Sequence, residues 1–146
     1  MRTAVFPGSF DPLHKGHVEI INKATTVFDK VIVAIGENNT KQYMFSLDER
    51  VATIKKTFAA NDKVEVKSYK GLTVDFCKKE NANFLVRGLR SSSDFEFEKA
   101  IAHNNTAINN QIETVFFLSS VETSFITSTI VRELLRNNAN VKHLLP

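Results

Sequence analysis

Short runs of β-branched and aromatic residues alternate with segments of helical periodicity along the whole chain, and this alternation constrains the fold more than any other feature. The runs are mostly continuous rather than interrupted by polar residues, which is typical of strands buried on both faces of a sheet. One strand and one helix recur in about thirty residues, as right-handed βαβ crossovers require. The sequence therefore predicts a doubly wound α/β fold with a five-stranded parallel sheet, whose strands include Thr3–Phe6, Val31–Ile35, Val64–Val66, Phe84–Val86 and Thr114–Leu118.

Four segments between these runs have the pattern of amphipathic helices. Apolar residues recur at helical spacing over residues 18–28 and 51–58, and Ser46-Leu47-Asp48-Glu49 has the form of a capping box ahead of the second of them. A third helix is predicted over Phe95–Asn105 and a fourth over Thr129–Arg136. Ligands of doubly wound sheets bind beyond the carboxyl ends of the strands, so the residues directly after each strand are the candidates for a site.

Length, charge and composition limit the partners that this chain can have. We expect residues 1–146 to form one domain, because this is an ordinary domain length. The net charge of +3 is spread over scattered Lys and Arg residues, which suits a compact anionic ligand better than nucleic acid. Neither a membrane span nor a signal peptide is predicted, and we expect a cytoplasmic protein. The single cysteine, Cys77, is predicted to be a small buried apolar residue.

The loop after the first predicted strand, Gly8-Ser9-Phe10-Asp11-Pro12-Leu13-His14-Lys15-Gly16-His17, leads into the first helix. His14 and His17 are three residues apart at the helix start, so we expect them to face the same side. Gly16 would let a ligand approach the backbone closely. Free N–H groups and the dipole of the helix N-terminus favour phosphate. The sequence therefore predicts an anion site with two imidazole rings over it.

Two other interpretations of this loop are weaker. The two histidines could bind a metal ion, but no cysteine or further histidine lies nearby to supply a third ligand. A packing role fits poorly, because small, polar and helix-breaking residues dominate the segment. Elsewhere the chain contains neither G-x-x-x-x-G-K-[ST] nor G-x-G-x-x-G, so it predicts neither a P-loop nor a dinucleotide-binding Rossmann site.

Three further segments place cations or hydroxyl groups after predicted strands. Lys41 is either a solvated surface charge or a mobile point charge that binds a phosphate. Arg87 and Arg90 flank a turn, where they are either exposed arginines or guanidinium forks for phosphate oxygens. Ser128 and Thr129 are predicted to cap the last helix, and free N–H groups there could cradle a polyphosphate.

Together, these segments resemble the H/T-x-G-H nucleotidyltransferase superfamily and, within it, the phosphopantetheine adenylyltransferase family, over essentially the whole chain. The resemblance implies a Rossmann-like nucleotidyltransferase fold and transfer of the adenylyl group of ATP to 4′-phosphopantetheine, which gives 3′-dephospho-coenzyme A and pyrophosphate. It also implies Mg²⁺ bound mainly through the ATP phosphates, without metal-ligating side chains, feedback inhibition by coenzyme A, and a homohexamer.

The resemblance also implies roles for individual positions. We assign His17 to stabilise charge on the α-phosphate during the reaction, which is an in-line displacement that needs no general base because the acceptor phosphate is already ionised. Acceptor contacts are implied at Ser9, Lys41, Thr73 and Arg87. ATP contacts are implied at Ser9, Phe10, His17, Gly88, Leu89, Arg90, Glu98, Thr123, Ser124, Phe125, Ile126, Thr127, Ser128 and Thr129.

The chain departs from the family pattern at a few positions. Ser9 and His14 stand where threonine is usual or frequent, and Thr123 stands where tryptophan is common. Relatives also often continue beyond the position of Pro146 into a short helix. Two alternatives stay open: a transferase of the same superfamily that uses nicotinamide mononucleotide, or CTP with glycerol 3-phosphate, and a nucleotide-binding regulator without catalysis.

Overall fold

Five strands and five helices alternate in the computed structural model, which describes all residues 1–146. The elements are β1 (Thr3–Gly8), α1 (Lys15–Val27), β2 (Lys30–Gly36), α2 (Leu47–Thr57), β3 (Val64–Tyr69), α3 (Thr73–Lys79), β4 (Phe84–Leu89), α4 (Ser92–Ile108), β5 (Glu113–Leu118) and α5 (Ser128–Arg136).

All five strands are parallel and lie in the order β3-β2-β1-β4-β5. The chain therefore starts in the middle of the sheet, winds outward through β2 and β3, and returns to the other side of β1. The predicted doubly wound sheet is confirmed, and each predicted strand overlaps an observed one. The strand order reverses between β1 and β4, which is where such sheets leave a crevice for ligands.

The helices cover both faces of the sheet. On one face, Ile21 of α1 and Ile54 of α2 are fully buried against alternate residues of the central strands. On the other face, Val74 and Cys77 of α3 pack against the remaining ones. Burying each such aliphatic side chain contributes about 1.5–3 kcal/mol, so these two layers hold the sheet. None of the helices is both long enough and apolar enough to cross a membrane.

The four predicted helices are confirmed, and the sequence did not predict α3. This helix has only seven residues, too few to show a clear helical period. The burial of Cys77, which lies in α3, is confirmed, and desolvation raises the pKa of its thiol to about 12. An inert thiol follows from that environment.

The helix caps agree with the sequence in one case and differ in another. The capping box before α2 is confirmed: Ser46 Oγ accepts from the Glu49 N–H (3.2 Å), and the Glu49 carboxylate accepts from the Ser46 N–H (2.7 Å). At α5, the prediction that Ser128 and Thr129 cap the helix is wrong. The chain is still extended at Thr127, whose hydroxyl accepts from the Ile130 N–H (3.1 Å), and Ser128 is already the first helical residue.

Candidate active site

Two clefts open at the carboxyl ends of β1 and β4 and have one wall in common. The first cleft, of about 390 Å³, extends over β3 and along α4. The second cleft, of about 360 Å³, lies between the starts of α1 and α5. The shared wall consists of Pro7, Gly8, Ser9, Lys41, Arg87 and Glu98. Two ligands, one in each cleft, would therefore meet at this wall.

The structure brings most of the predicted site residues together at these clefts. All four residues predicted to contact the acceptor line the first cleft: Ser9, Lys41, Thr73 and Arg87. Eleven of the predicted ATP contacts line the second cleft: Ser9, Phe10, His17, Gly88, Arg90, Glu98, Thr123, Ile126, Thr127, Ser128 and Thr129. Leu89, Ser124 and Phe125 line neither cleft.

The start of α1 is closed by its own imidazole rings. His14 is the N-cap, and its Nδ1 accepts from the N–H groups of Gly16 (3.1 Å) and His17 (3.4 Å). In return, His17 Nδ1 accepts from the His14 N–H (3.1 Å), and the Lys15 N–H donates to the Leu144 carbonyl (2.9 Å). The prediction that free N–H groups of this helix bind phosphate is therefore wrong, because the cap and the C-terminal segment already use them.

Gly16 makes room for this cap. A Cβ at this position would lie 2.9 Å from Cε1 of the His14 ring, which is closer than carbon atoms approach. The two rings stack at a centroid distance of 3.7 Å as a result. Gly16 also lines the second cleft, and close approach of a ligand to its backbone stays a prediction.

Both imidazole rings present a donor on their other side. Because each Nδ1 accepts a backbone hydrogen bond, the proton of the neutral ring is assigned to Nε2. Burial, with Arg90 nearby, lowers the pKa of His14 to about 4. Burial, His14 and the two arginines Arg87 and Arg90 hold the pKa of His17 well below its ordinary value. At neutral pH, the site therefore offers uncharged N–H donors and no imidazolium.

The Phe10 ring packs against the His17 ring. Phe10 is buried and contacts His17 edge-on, with ring centroids 4.9 Å apart. Such edge-to-face contacts fix the relative orientation of two rings. His17 is therefore held by packing on one side and by its bond to the His14 N–H on the other.

Arg87 lies in the shared wall with most of its hydrogen bonds fixed. Its Nε and Nη2 donate to the two carboxylate oxygens of Glu98 (2.9 and 2.7 Å), and its Nη1 donates to the Pro7 carbonyl (2.7 Å). Glu98 is buried, so the bidentate pair is rigid. Two of the five guanidinium N–H groups stay available for a ligand. Glu98 thus orients Arg87, and its own contact with ATP remains a prediction.

Lys41 reaches the shared wall from a different loop. Its Nζ lies 3.2 Å from Ser9 Oγ, although the two residues are 32 positions apart in the chain. The side chain of Lys41 is otherwise exposed. An ammonium group in this place can move toward a phosphate in either cleft.

The start of α5 is open toward the second cleft. Its N-cap, Thr127, satisfies only the Ile130 N–H. The N–H groups of Ser128 and Thr129 have no hydrogen-bond partner in the protein, and the Ser128 hydroxyl donates to the Pro12 carbonyl (3.0 Å). With Arg90 opposite, this helix start has the free donors and the dipole of an anion site.

Sequence reasoning missed the carboxylate that holds the segment before α5. Glu19 accepts from the N–H and the hydroxyl of Ser120 (2.7 and 2.8 Å), from the Thr123 hydroxyl, and from Lys23. Desolvation raises the pKa of Glu19, but the hydrogen bonds from Lys23, Thr123 and Ser120 outweigh it and lower the pKa to about 2. Ser120 and Thr123 lie about a hundred residues from Glu19, so no local pattern could have revealed these two partners.

The carboxylates near the clefts do not form a metal cage. No group of three His, Cys, Asp or Glu side chains has the spacing to hold a metal ion. Glu98 is paired with Arg87, and Asp94 accepts from Arg90 Nε (3.1 Å) and from the Arg90 N–H (3.0 Å). A divalent ion at this site would therefore depend on oxygen ligands brought by the substrate.

Comparison with known proteins agrees with this geometry. The sequence model of the cytidylyltransferase-like family matches residues 5–134. The chain is 53% identical to the phosphopantetheine adenylyltransferase of Flavobacterium psychrophilum, over 100% of this chain and 96% of the relative. It is 45% identical to that of Clostridium perfringens, over 100% of this chain and 89% of the relative. A Vibrio parahaemolyticus protein assigned as a nicotinate-nucleotide adenylyltransferase has a similar fold, with a TM-score of 0.73, 19% identity, and coverage of 99% of this chain and 94% of that chain.

Proposed function

Because this chain belongs to the phosphopantetheine adenylyltransferase family of nucleotidyltransferases, we propose that its two clefts transfer the adenylyl group of ATP to 4′-phosphopantetheine, which yields 3′-dephospho-coenzyme A and pyrophosphate. The observation that carries the proposal is the shared wall. Two cations meet there, Lys41 from a loop and Arg87 from strand β4. They lie between a cleft with hydroxyl and aromatic side chains and a cleft with an open helix start.

The first cleft suits the acceptor. Its lining includes Tyr69 and Thr73, which hydrogen-bond to each other (2.8 Å), and Ile101 and Asn105 of α4. Mixed polar and apolar walls of this kind fit an extended arm that carries amide groups. The acceptor phosphate would then lie at the shared wall, bound by Lys41 and by the free N–H groups of Arg87.

The second cleft suits ATP. The N–H groups of Ser128 and Thr129, together with Arg90, would bind the β- and γ-phosphates. The α-phosphate would lie between this helix start and the shared wall, within reach of His17 Nε2. We propose that Mg²⁺ would be held mainly by the ATP phosphates, without side-chain ligands of its own, and that it would supply positive charge to offset that of the departing pyrophosphate.

The chemistry needs positions and charges rather than a base. The acceptor oxygen attacks the α-phosphorus, the new P–O bond forms, and the bond to the β-phosphate oxygen breaks, with the electron pair leaving on pyrophosphate. A neutral imidazole N–H can donate to the α-phosphate oxygen without changing its own charge. His17, whose tautomer and orientation are fixed before the substrate binds, is thus suited to stabilise the transition state.

Assembly, control and location are part of the proposal. Only Glu98 of α4 is buried, whereas Phe97 and Ile108 on this helix and Leu118 at the end of β5 are exposed. Exposed apolar residues of this density mark interfaces, and we propose that they join copies of the chain in a homohexamer.

Coenzyme A carries the same arm as the acceptor, so it would inhibit by filling the first cleft. A cytoplasmic location fits the use of ATP.

One coupled assay tests the reaction. Purified protein with ATP and Mg²⁺ is offered 4′-phosphopantetheine, nicotinamide mononucleotide or glycerol 3-phosphate (the last also with CTP), and pyrophosphate release is recorded. We expect fast release with 4′-phosphopantetheine alone. Faster turnover of another acceptor would reassign the substrate within the superfamily, and ATP binding without pyrophosphate release from any acceptor would indicate a regulator.

A further inference from the structure

We propose that Arg50 and Asp11 form a clamp that positions Lys41, an inference that rests on the proposed function. The clamp joins the first loop (residues 9–14, between β1 and α1) to the second loop (residues 37–46, between β2 and α2). Arg50 itself lies in α2 and lines neither cleft. Its one contact with the shared wall is with the backbone carbonyl of Ser9. It acts on the reaction through the loop that carries Lys41.

Arg50 is a buried cation at a position where a positive charge is unfavourable, so its presence needs an explanation. It is 4% exposed, lies in the first turns of α2 near the positive end of the helix dipole, and has no carboxylate partner. Its hydrogen bonds instead go to the two loops: Nη1 donates to the Ser9 carbonyl (2.9 Å) and Nε to the Phe45 carbonyl (3.1 Å). The guanidinium plane also lies over the Tyr43 ring, 4.0 Å from its centroid.

The Asp11 side chain also binds the second loop, through two backbone N–H groups. Its carboxylate is 3% exposed and accepts from the N–H groups of Met44 and Phe45, both at 2.9 Å. Phe45 is thus held by its carbonyl through Arg50 and by its N–H through Asp11. Phe10 lies between Ser9 and Asp11 in the chain, and its φ of 48° is unusual for an aromatic residue and persists only where the surroundings impose it.

The clamp determines where the ammonium group of Lys41 can reach. The second loop has no helix or strand of its own, so its position relative to the first loop depends on these four hydrogen bonds. Ser9 gives its carbonyl to Arg50, while its hydroxyl lies 3.2 Å from Lys41 Nζ. Loosening the clamp would let Lys41 move away from the shared wall, and small displacements of a reacting group cost large factors in rate.

Steady-state kinetics with a double-mutant cycle tests the inference. Arg50→Lys keeps the charge but loses the planar fork, and we expect it to raise the KM for 4′-phosphopantetheine about tenfold while the KM for ATP stays within about twofold. Lys41→Ala should raise the same KM. Because Arg50 acts through Lys41, the double variant should be no worse than Lys41→Ala alone. Lys55→Ala, which removes an exposed cation from the same helix, is the control and should match the wild type.

A second readout keeps the test decisive. Amide hydrogen exchange at Met44 and Phe45 needs no substrate, and Arg50→Lys or Asp11→Asn should speed it at least tenfold, whereas Lys55→Ala should leave it unchanged. If the wild type does not turn over 4′-phosphopantetheine, the proposed function is wrong while this exchange measurement still decides the clamp. Unchanged exchange in both variants, or effects of Arg50→Lys and Lys41→Ala that multiply in the double variant, would overturn the inference.

Discussion

Helices α1 and α5 both begin at the rim of the second cleft, but their first turns are built in different ways. At α1, an imidazole cap and a C-terminal carbonyl take the N–H groups of Lys15, Gly16 and His17. At α5, a threonine cap takes one N–H, and those of Ser128 and Thr129 stay free. One helix start is closed and the other is open.

The difference shows that a helix N-terminus near a cleft is an anion site only where the cap leaves donors unused. The closed start at α1 uses its N–H groups to fix two neutral rings, so that His17 Nε2 is the group offered to a ligand. The open start at α5 offers backbone donors. We propose a division of labour on this basis: α5 would bind the ground-state triphosphate, and α1 would stabilise charge that develops on the α-phosphate.

The largest effect should come from removing the donor at the closed start. An interaction made mainly in the transition state lowers kcat and leaves KM nearly unchanged. We therefore expect His17→Ala to reduce kcat by about 10²–10³, or roughly 3–4 kcal/mol, with KM for both substrates near that of the wild type. Steady-state kinetics and calorimetry of ATP binding measure the two quantities.

The variant His17→Gln separates the proposed catalytic role of His17 from its role in capping α1. The amide oxygen of His17→Gln can accept from the His14 N–H as the imidazole does, so this variant should regain the stability that His17→Ala loses while recovering at most part of the turnover. His14→Ala should reduce kcat less than His17→Ala does. Turnover by His17→Ala within tenfold of the wild type would refute the assignment, and a larger loss from His14→Ala would transfer the role to that ring.

At the open start, deleting one backbone donor should weaken ATP binding without harming the helix. Proline is well tolerated as the first helical residue, and the extended conformation of Thr127 suits a residue before proline. Ser128→Pro should raise the KM for ATP by the equivalent of about 1.5–3 kcal/mol, the range for a hydrogen bond to a charged group. Ser128→Ala, which keeps the N–H and loses only the hydroxyl, should change it much less. Equal effects of the two variants would mean that the hydroxyl, not the open helix start, binds the phosphate.

A glycine substitution probes how tightly the closed start is packed. Glycine to alanine in a helix ordinarily stabilises a protein by about 1 kcal/mol. At Gly16, the new Cβ would displace the His14 ring and weaken the cap, so we expect the opposite sign, a loss on the order of 1 kcal/mol in unfolding free energy. Denaturant unfolding measures it, with the exposed helical Asn22→Ala as a control for propensity alone. A stabilised Gly16→Ala would show that the ring is free to move.

The contrast between the two helix starts also marks how far the sequence could predict this molecule. The strands, the doubly wound parallel sheet and the location of the site at the carboxyl ends of the strands follow from apolar runs and from the general rule for such sheets. That Ser9, Lys41 and Arg87 meet at one wall followed from a family resemblance. The closed cap at α1 did not follow, because His14 is an unusual N-cap and its bonds depend on ring orientation. The roles of Arg50 and Glu19 were missed because the loops that they hold, at Ser9 and at Ser120–Thr123, are distant from them in the chain.

The smallest expected effect is on stability, and its dependence on pH compares the two helix starts directly. Folding lowers the pKa of His14 from 6.5 to about 4 and lowers that of His17 in the same direction, mainly by burial. Between these values the unfolded chain binds more protons than the folded one, so stability falls as pH decreases from about 6.5 toward 4, by at most about 1.4 kcal/mol per pH unit for each ring.

The variant His14→Thr keeps a side-chain cap and removes one of the titrating rings. At pH 7.5 we expect it to be less stable than the wild type by about 1 kcal/mol or less, since threonine is a competent N-cap. Because it lacks the proton uptake of His14, which costs the wild type about 1.4 kcal/mol by pH 5.5, the difference should reverse by pH 5.5 and widen in favour of the variant at pH 5. Thr127→Ala, which removes the cap of the open start, should cost about 1 kcal/mol at every pH in this range, because no imidazole takes part there. Urea unfolding of the three proteins at pH 7.5, 5.5 and 5 measures the slopes. Parallel slopes for the wild type and His14→Thr would mean that the imidazole cap is not kept neutral by its burial, and the distinction between the two helix starts would then rest on geometry alone.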